Sequence, residues 1–154
     1  MATRRNSKRL PAGPTLHSLL NQAHREATSE LRRMVSTEGL PVEFWRLLEV
    51  LADEQGRSMS ELADQAGMQL PATCKLVDKM TEAALIQRSA DVRDNRRVIL
   101  HISDFGLQKV AALKGGVAQH RSRLGRAFGP DREAQLRALL SEFIQAHRSA
   151  GGPG

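Results

Sequence analysis

One cysteine, one tryptophan, four phenylalanines and no tyrosine in 154 residues leave this chain short of much common protein chemistry. With Cys74 alone, no internal disulfide can form, and a reducing compartment such as the cytoplasm is the expected setting. Aromatics at 3% beside 40% hydrophobic residues describe a core of Leu, Ala, Val and Met, which favours helices over a sandwich or barrel. No apolar run approaches the roughly 20 residues that span a bilayer, so no membrane partner is expected. The opening "MATRRNSKRLPAG" is basic without a following apolar stretch, unlike a secretory signal. Also missing are a Gly-rich phosphate loop, a carboxylate pair at catalytic spacing and a nucleophile with its base. The chain is therefore not read as an enzyme, and no cofactor is expected.

What is present is positive charge, unevenly placed. Four charges of the net +6 are Arg4, Arg5, Lys8 and Arg9, in a stretch (1–13) that reads as a disordered basic arm. Residues 149–154 read as a disordered tail. Between them, 14–148 has the length of one domain with a real core.

Periodicity divides that domain. Leu16, Leu20, Ala23, Ala27, Leu31 and Met34 predict a long amphipathic helix over about 15–36. Gly39 and Pro41 then punctuate the chain, and Phe44, Leu47, Leu48 and Leu51 make a second helix that Gly56 closes. "SMSELADQAGM" predicts a two-turn helix with Ser60 as N-cap and Gly67 as its end. A further helix restarts near Pro71, giving a helix-turn-helix outline. "LIQRSA" and "RVILHIS" alternate as the strands of a hairpin. Helices over about 104–128 and 131–148 follow. The first contains Gly115 and Gly116, a pair costing about 2 kcal/mol against alanine and expected at a kink or close-packing point.

At 100° per residue, Thr73, Leu76, Val77, Met80 and Ala84 share the inner sector of the second helix of the pair. Pro71, Lys75, Asp78 and Glu82 lie opposite, flanked by Ala72 and Lys79. A small, basic outer face suits close approach to a DNA groove. Gln69, Pro71, Ala72, Thr73, Lys75 and Lys79 are the candidate DNA contacts of this element. The hairpin that follows carries "DVRDNRR" at its tip, with Arg93, Arg96 and Arg97 placed to meet the minor groove. A helix-turn-helix joined to such a hairpin is a winged helix: mainly α, with a small β-hairpin wing.

Here the chain resembles the MarR family of bacterial transcriptional regulators. "DVRDNRRVILHISDFG" is similar to that family's wing pattern, Asp-x-Arg-Asp-x-Arg followed by an apolar strand and a Ser/Thr-x-x-Gly. "FWRLLEVLA", "SELADQAGM" and "CKLVDKM" resemble its second, third and recognition helices. The resemblance implies a homodimer, with a winged helix-turn-helix over about 41–103 and dimerisation helices over about 15–36 and 104–148. It also implies a double-stranded, pseudo-palindromic operator as partner and a ligand-responsive repressor as function. By that similarity Arg93 pairs with Asp78 to tie wing to recognition helix, and Arg96 enters the minor groove. One departure stands out: relatives often begin the recognition helix with Ser or Thr, whereas this chain offers Gln69, Leu70, Pro71 and Ala72.

Trp45 and Arg46 are candidates to line a pocket for a small aromatic or otherwise anionic effector; the alternative makes Trp45 core and Arg46 surface. Cys74 borders the inner face, where a thiol acts as a small hydrophobe. His17 and His24 share one side of the first helix without the further ligands a metal needs, so no metal site is expected. The rival function is a winged helix that binds only protein, which would need no basic recognition face.

Overall fold

The computed structural model describes residues 13–150; the proposed basic arm, apart from Gly13, and residues 151–154 lie outside that range. Helix α1 (Leu16–Ser36) begins at Thr15, whose side chain accepts the Ser18 N–H. Pro41 is the N-cap of α2 (Val42–Leu51), which buries Trp45, Leu47, Leu48 and Leu51. The helix ends well before Gly56, which serves a different purpose. Its φ is +70°, and a Cβ there would strike His101 Cε1 and Ile99 Cγ2 at 2.7 and 2.8 Å. Glycine is needed because the chain turns tightly onto a strand.

That strand was not legible in the sequence. β1 (Arg57–Ser58) pairs antiparallel with β3 (Val98–Ile102), and β2 (Ile86–Ala90) pairs with β3 from the other side. The wing is thus the free end of a three-stranded sheet ordered β1-β3-β2. Two residues are too few to produce an alternation. The start of α3 (Met59–Gln65) shifts with it: Ser58, not Ser60, is the N-cap. Ser58 Oγ accepts the Glu61 N–H while Glu61 accepts the Ser58 N–H at 2.8 Å, a reciprocal capping box. Helix α4 (Leu70–Glu82) follows.

The lobe closes around Leu47, Leu48, Leu51, Leu62, Val77, Met80, Ile86 and Leu100, all fully or almost fully buried. From it emerges α5 (Asp104–Phe128), which runs uninterrupted through Gly115 and Gly116. A Cβ at Gly116 would sit 3.6 Å from Met34 Sδ, so that glycine lies where α5 packs on α1; nothing surrounds Gly115. α6 (Pro130–Ala150) turns back along the outside and buries no residue. Residues 149 and 150 belong to this helix rather than to a disordered tail.

A weld joins the lobe to α5. Ser103 Oγ accepts the Gly106 N–H at 2.9 Å as N-cap and donates to the Ala84 carbonyl at 2.6 Å, while Ser103 N–H donates to Leu85. A Cβ at Gly106 would collide with the Leu85 carbonyl oxygen. The Ser-x-x-Gly spacing therefore fastens the start of α5 to the turn that ends α4.

Candidate nucleic-acid interface and effector cleft

The outer face of α4 is set by what its inner face must bury. Thr73, Val77 and Met80 point into the lobe. Thr73 is fully buried and its hydroxyl donates to the Gln69 carbonyl at 2.9 Å, so it is withdrawn from the candidate DNA contacts. Its methyl group packs while its hydroxyl closes a helical turn, which the short polar name conceals. Gln69, Pro71, Ala72, Lys75 and Lys79 are exposed. Gln69 is the N-cap but makes no side-chain cap bond, leaving its amide available.

At the wing tip, the acids shape the backbone more than they neutralise the arginines. Asp91 accepts the Arg93 N–H at 2.9 Å and Asp94 accepts the Arg96 N–H at 3.0 Å. Asp91 N–H donates to the Arg97 carbonyl and Arg97 N–H to Asp94, both at 2.9 Å. Asp side chains that bond their own backbone two residues on stabilise such turns. Arg97 also lies 4.0 Å from the Asp91 carboxylate. Arg93, Arg96, Lys75 and Lys79 enter none of the ion pairs found among the described residues. Their charges face solvent uncompensated.

The partner of Asp78 is Arg88, not Arg93. Strand parity explains the correction. Arg88 sits opposite Leu100 and shares the inward side of β2 with Ile86, so its guanidinium reaches α4 around the edge of the core. Arg93 lies beyond the strand end. The bridge still ties recognition helix to wing, through a residue that local spacing gave no reason to choose.

Arg46 is also reassigned. Its Nη2 donates to the Ala66 carbonyl at 2.6 Å and the Gly67 carbonyl at 3.3 Å, satisfying free carbonyls where α3 ends. Trp45 does border a cleft of about 440 Å³ between α2 and α5, together with Glu49, Leu107, Val110, Lys114 and Arg121. The indole is 2% exposed, and its Nε1 is a buried donor without a partner among the described residues. Arg121 and Glu49 form an ion pair at this cleft. A sequence signal for the cations exists in hindsight. Leu107, Val110, Lys114, Val117 and Arg121 follow the helical three-and-four spacing, so two cations interrupt an apolar stripe. Cys74 is a free, half-buried thiol. Among the described residues, no three His, Cys, Asp or Glu side chains are grouped to hold a metal, and no helix is long and apolar enough to cross a membrane.

Two helices joined by a tight turn, a tethered basic wing and an outward basic face define a winged helix-turn-helix protein. The model described as "MarR family" matches residues 38–97, which run from just before α2 to the wing tip. A Thauera aromatica protein, named as a transcriptional regulatory protein for the hcr operon, is 31% identical over 114 residues, covering 74% of this chain and 69% of its own length. The chain belongs to the MarR family of transcriptional regulators. Among solved structures, the repressor CouR bound to a 23-mer DNA duplex is 26% identical at a TM-score of 0.71, covering 84% of this chain and 92% of its own. NadR in complex with 4-hydroxyphenylacetate is 21% identical at a TM-score of 0.75, over 87% and 95%, a likeness of fold.

Proposed function

We propose that the protein is a cytoplasmic repressor that binds a pseudo-palindromic DNA operator as a homodimer and releases it when a small organic anion fills the α2–α5 cleft. It acts by binding rather than catalysis. The observation that carries the DNA reading is the set of exposed, unneutralised cations on one braced lobe: Lys75 and Lys79 on α4, Arg93 and Arg96 on the wing. A protein-only winged helix has no use for that arrangement. Phosphates do.

The cleft supports the effector reading. It is mostly apolar and is edged by Lys114 and Arg121. A ligand carboxylate would compete with Glu49 for Arg121, and an aromatic ring would fill the space beside Leu107 and Val110. Because the Ser103–Gly106 weld links α5 to the end of α4, displacement of α5 would carry the reading helix with it. Coupling between two such sites is typically about 1–3 kcal/mol.

Titration of the full chain on its own upstream DNA across a salt series tests the first part. Arg96→Ala should weaken operator and random duplex alike and shrink the salt slope by about 1 per lobe. Unchanged affinity and slope would reduce the wing to a solvated loop. For the second part, aromatic carboxylates are added to the complex. Arg121→Ala should abolish release while leaving operator affinity intact; release that persists in this variant would remove the cleft from the mechanism.

A further inference from the structure

The recognition helix begins with carbon where a hydroxyl would be the simpler choice for reading bases. Leu70 is 44% exposed, and Pro71 and Ala72 beside it are exposed as well. This apolar first turn lies apart from the lobe core, which α4 reaches through Thr73, Val77 and Met80. It is bordered by polar groups free to bond elsewhere: the uncommitted Gln69 amide before it and the unpaired Lys75 one turn on. Lys79, Arg93 and Arg96 extend the positive surface around it. That charge favours a polyanion over an apolar protein surface as the covering partner.

In the major groove, base pairs offer one apolar group, the 5-methyl of thymine. We propose that Leu70, Pro71 and Ala72 read thymine methyl groups, with Gln69 set to bond an adenine edge and Lys75 a guanine. The operator half-site under α4 is then built on A·T pairs with thymine methyls facing the helix, followed by a G·C pair. This rests on the DNA-binding reading above and adds the bases that are read. Leu70 becomes a specificity-determining residue, contributing shape and apolar contact rather than a hydrogen bond.

The test uses full-length protein and duplexes selected by it from a random library. In the selected site each thymine is replaced, one position at a time, by deoxyuridine, which removes only the methyl group. At fixed salt, symmetry-related positions in the two half-sites should each lose about two- to fourfold in affinity, the equivalent of one buried methyl. Thymines outside the α4 footprint should lose nothing. Leu70→Ala should shrink the dT/dU difference at one symmetry-related pair of thymines while leaving the others and the salt slope unchanged, because no phosphate contact is removed. Indifference to deoxyuridine throughout overturns the proposal even if DNA binding is tight, and needs no variant to be folded. A Leu70→Asp variant whose oligomeric state changes would also overturn it, by making the patch a contact between copies. Failure to enrich or bind any duplex brings down the DNA-binding reading itself, and this inference with it.

Discussion

Leu47, Leu48, Leu51, Leu62 and Leu100 of the lobe are sealed from solvent, whereas Leu136, Leu139 and Ile144 of α6 stand 44%, 62% and 48% exposed. Leu16 and Leu19 of α1 and Leu124 and Phe128 at the far end of α5 are similarly uncovered. The lobe covers its large apolar side chains except Leu70 on α4 and Val92 and Val98 on the wing. The flanks do so where α5 starts against the lobe and where α1 meets α5, through Val35, Leu113 and Val117 and the buried His120, whose ring nitrogens face Glu30 at 2.9 Å and the Ala27 carbonyl at 3.2 Å. The contrast teaches that the two regions respond to different variables. The lobe core is closed within one chain, while apolar helix faces that a second copy would cover would make stability depend on concentration.

The largest effect should come from the flanks. Leu139→Asp places a charge on the most exposed large apolar side chain of α6, and dimers near twice 17.0 kDa should give way to monomers in sedimentation at micromolar concentration. Operator affinity should fall by roughly 10²- to 10⁴-fold, the avidity lost when two linked lobes become independent. Dimers that persist with full affinity would break the contrast.

Next in size, Leu48→Ala removes a fully buried lobe side chain and should cost about 2–5 kcal/mol in denaturant unfolding. Its cost should be the same at low and high protein concentration. A concentration-dependent penalty would show that lobe and flanks fold as one unit.

Smaller again is the brace between α4 and wing. Arg88 and Asp78 are both substantially exposed, so a double-mutant cycle on Arg88→Ala and Asp78→Ala should return a coupling of about 0.2–1 kcal/mol. Arg93→Ala should show none with Asp78→Ala. Coupling to Arg93 instead would return the pairing to the one the family resemblance implied.

The smallest effect concerns the capping box. Glu61 is held below the usual carboxylate range, chiefly because the Ser58 N–H donates to it, with the Arg97 and Arg57 charges contributing less. A depressed folded-state value means stability that is present above the unfolded value near 4.3 and lost as pH falls through the folded one. Glu61→Gln should therefore be slightly less stable than the parent at neutral pH, and the gap should close in acid. A gap that widens on acidification would reverse the sign.

Several readings came directly from residue spacing and several could not. The apolar periods over 16–34 and 44–51 led to α1 and α2, because helical spacing is a local property that burial rewards directly. The Asp-rich tip and the Ser-x-x-Gly after it located the wing and the start of α5, since turns and caps are also closed within a few residues. The two-residue strand at Arg57 has no local pattern, because what makes it a strand is a partner some 40 residues away in the chain, Leu100. Thr73 and Arg46 differ from their sequence expectation for a related reason. Side-chain type suggests what a residue can bond, and neighbours decide what it does bond.

By itself, then, the sequence determined the helices, the hairpin, the basic outer face of α4 and the family to which they belong, all of which rest on short-range order. Only the tertiary structure decided that Asp78 is met by Arg88, that Arg46 caps α3, and that Lys114 and Arg121 join Trp45 at one cleft. Those choices depend on which side of a strand or helix faces which neighbour. That is a matter of packing in three dimensions, to which a one-dimensional pattern of residue types is largely blind.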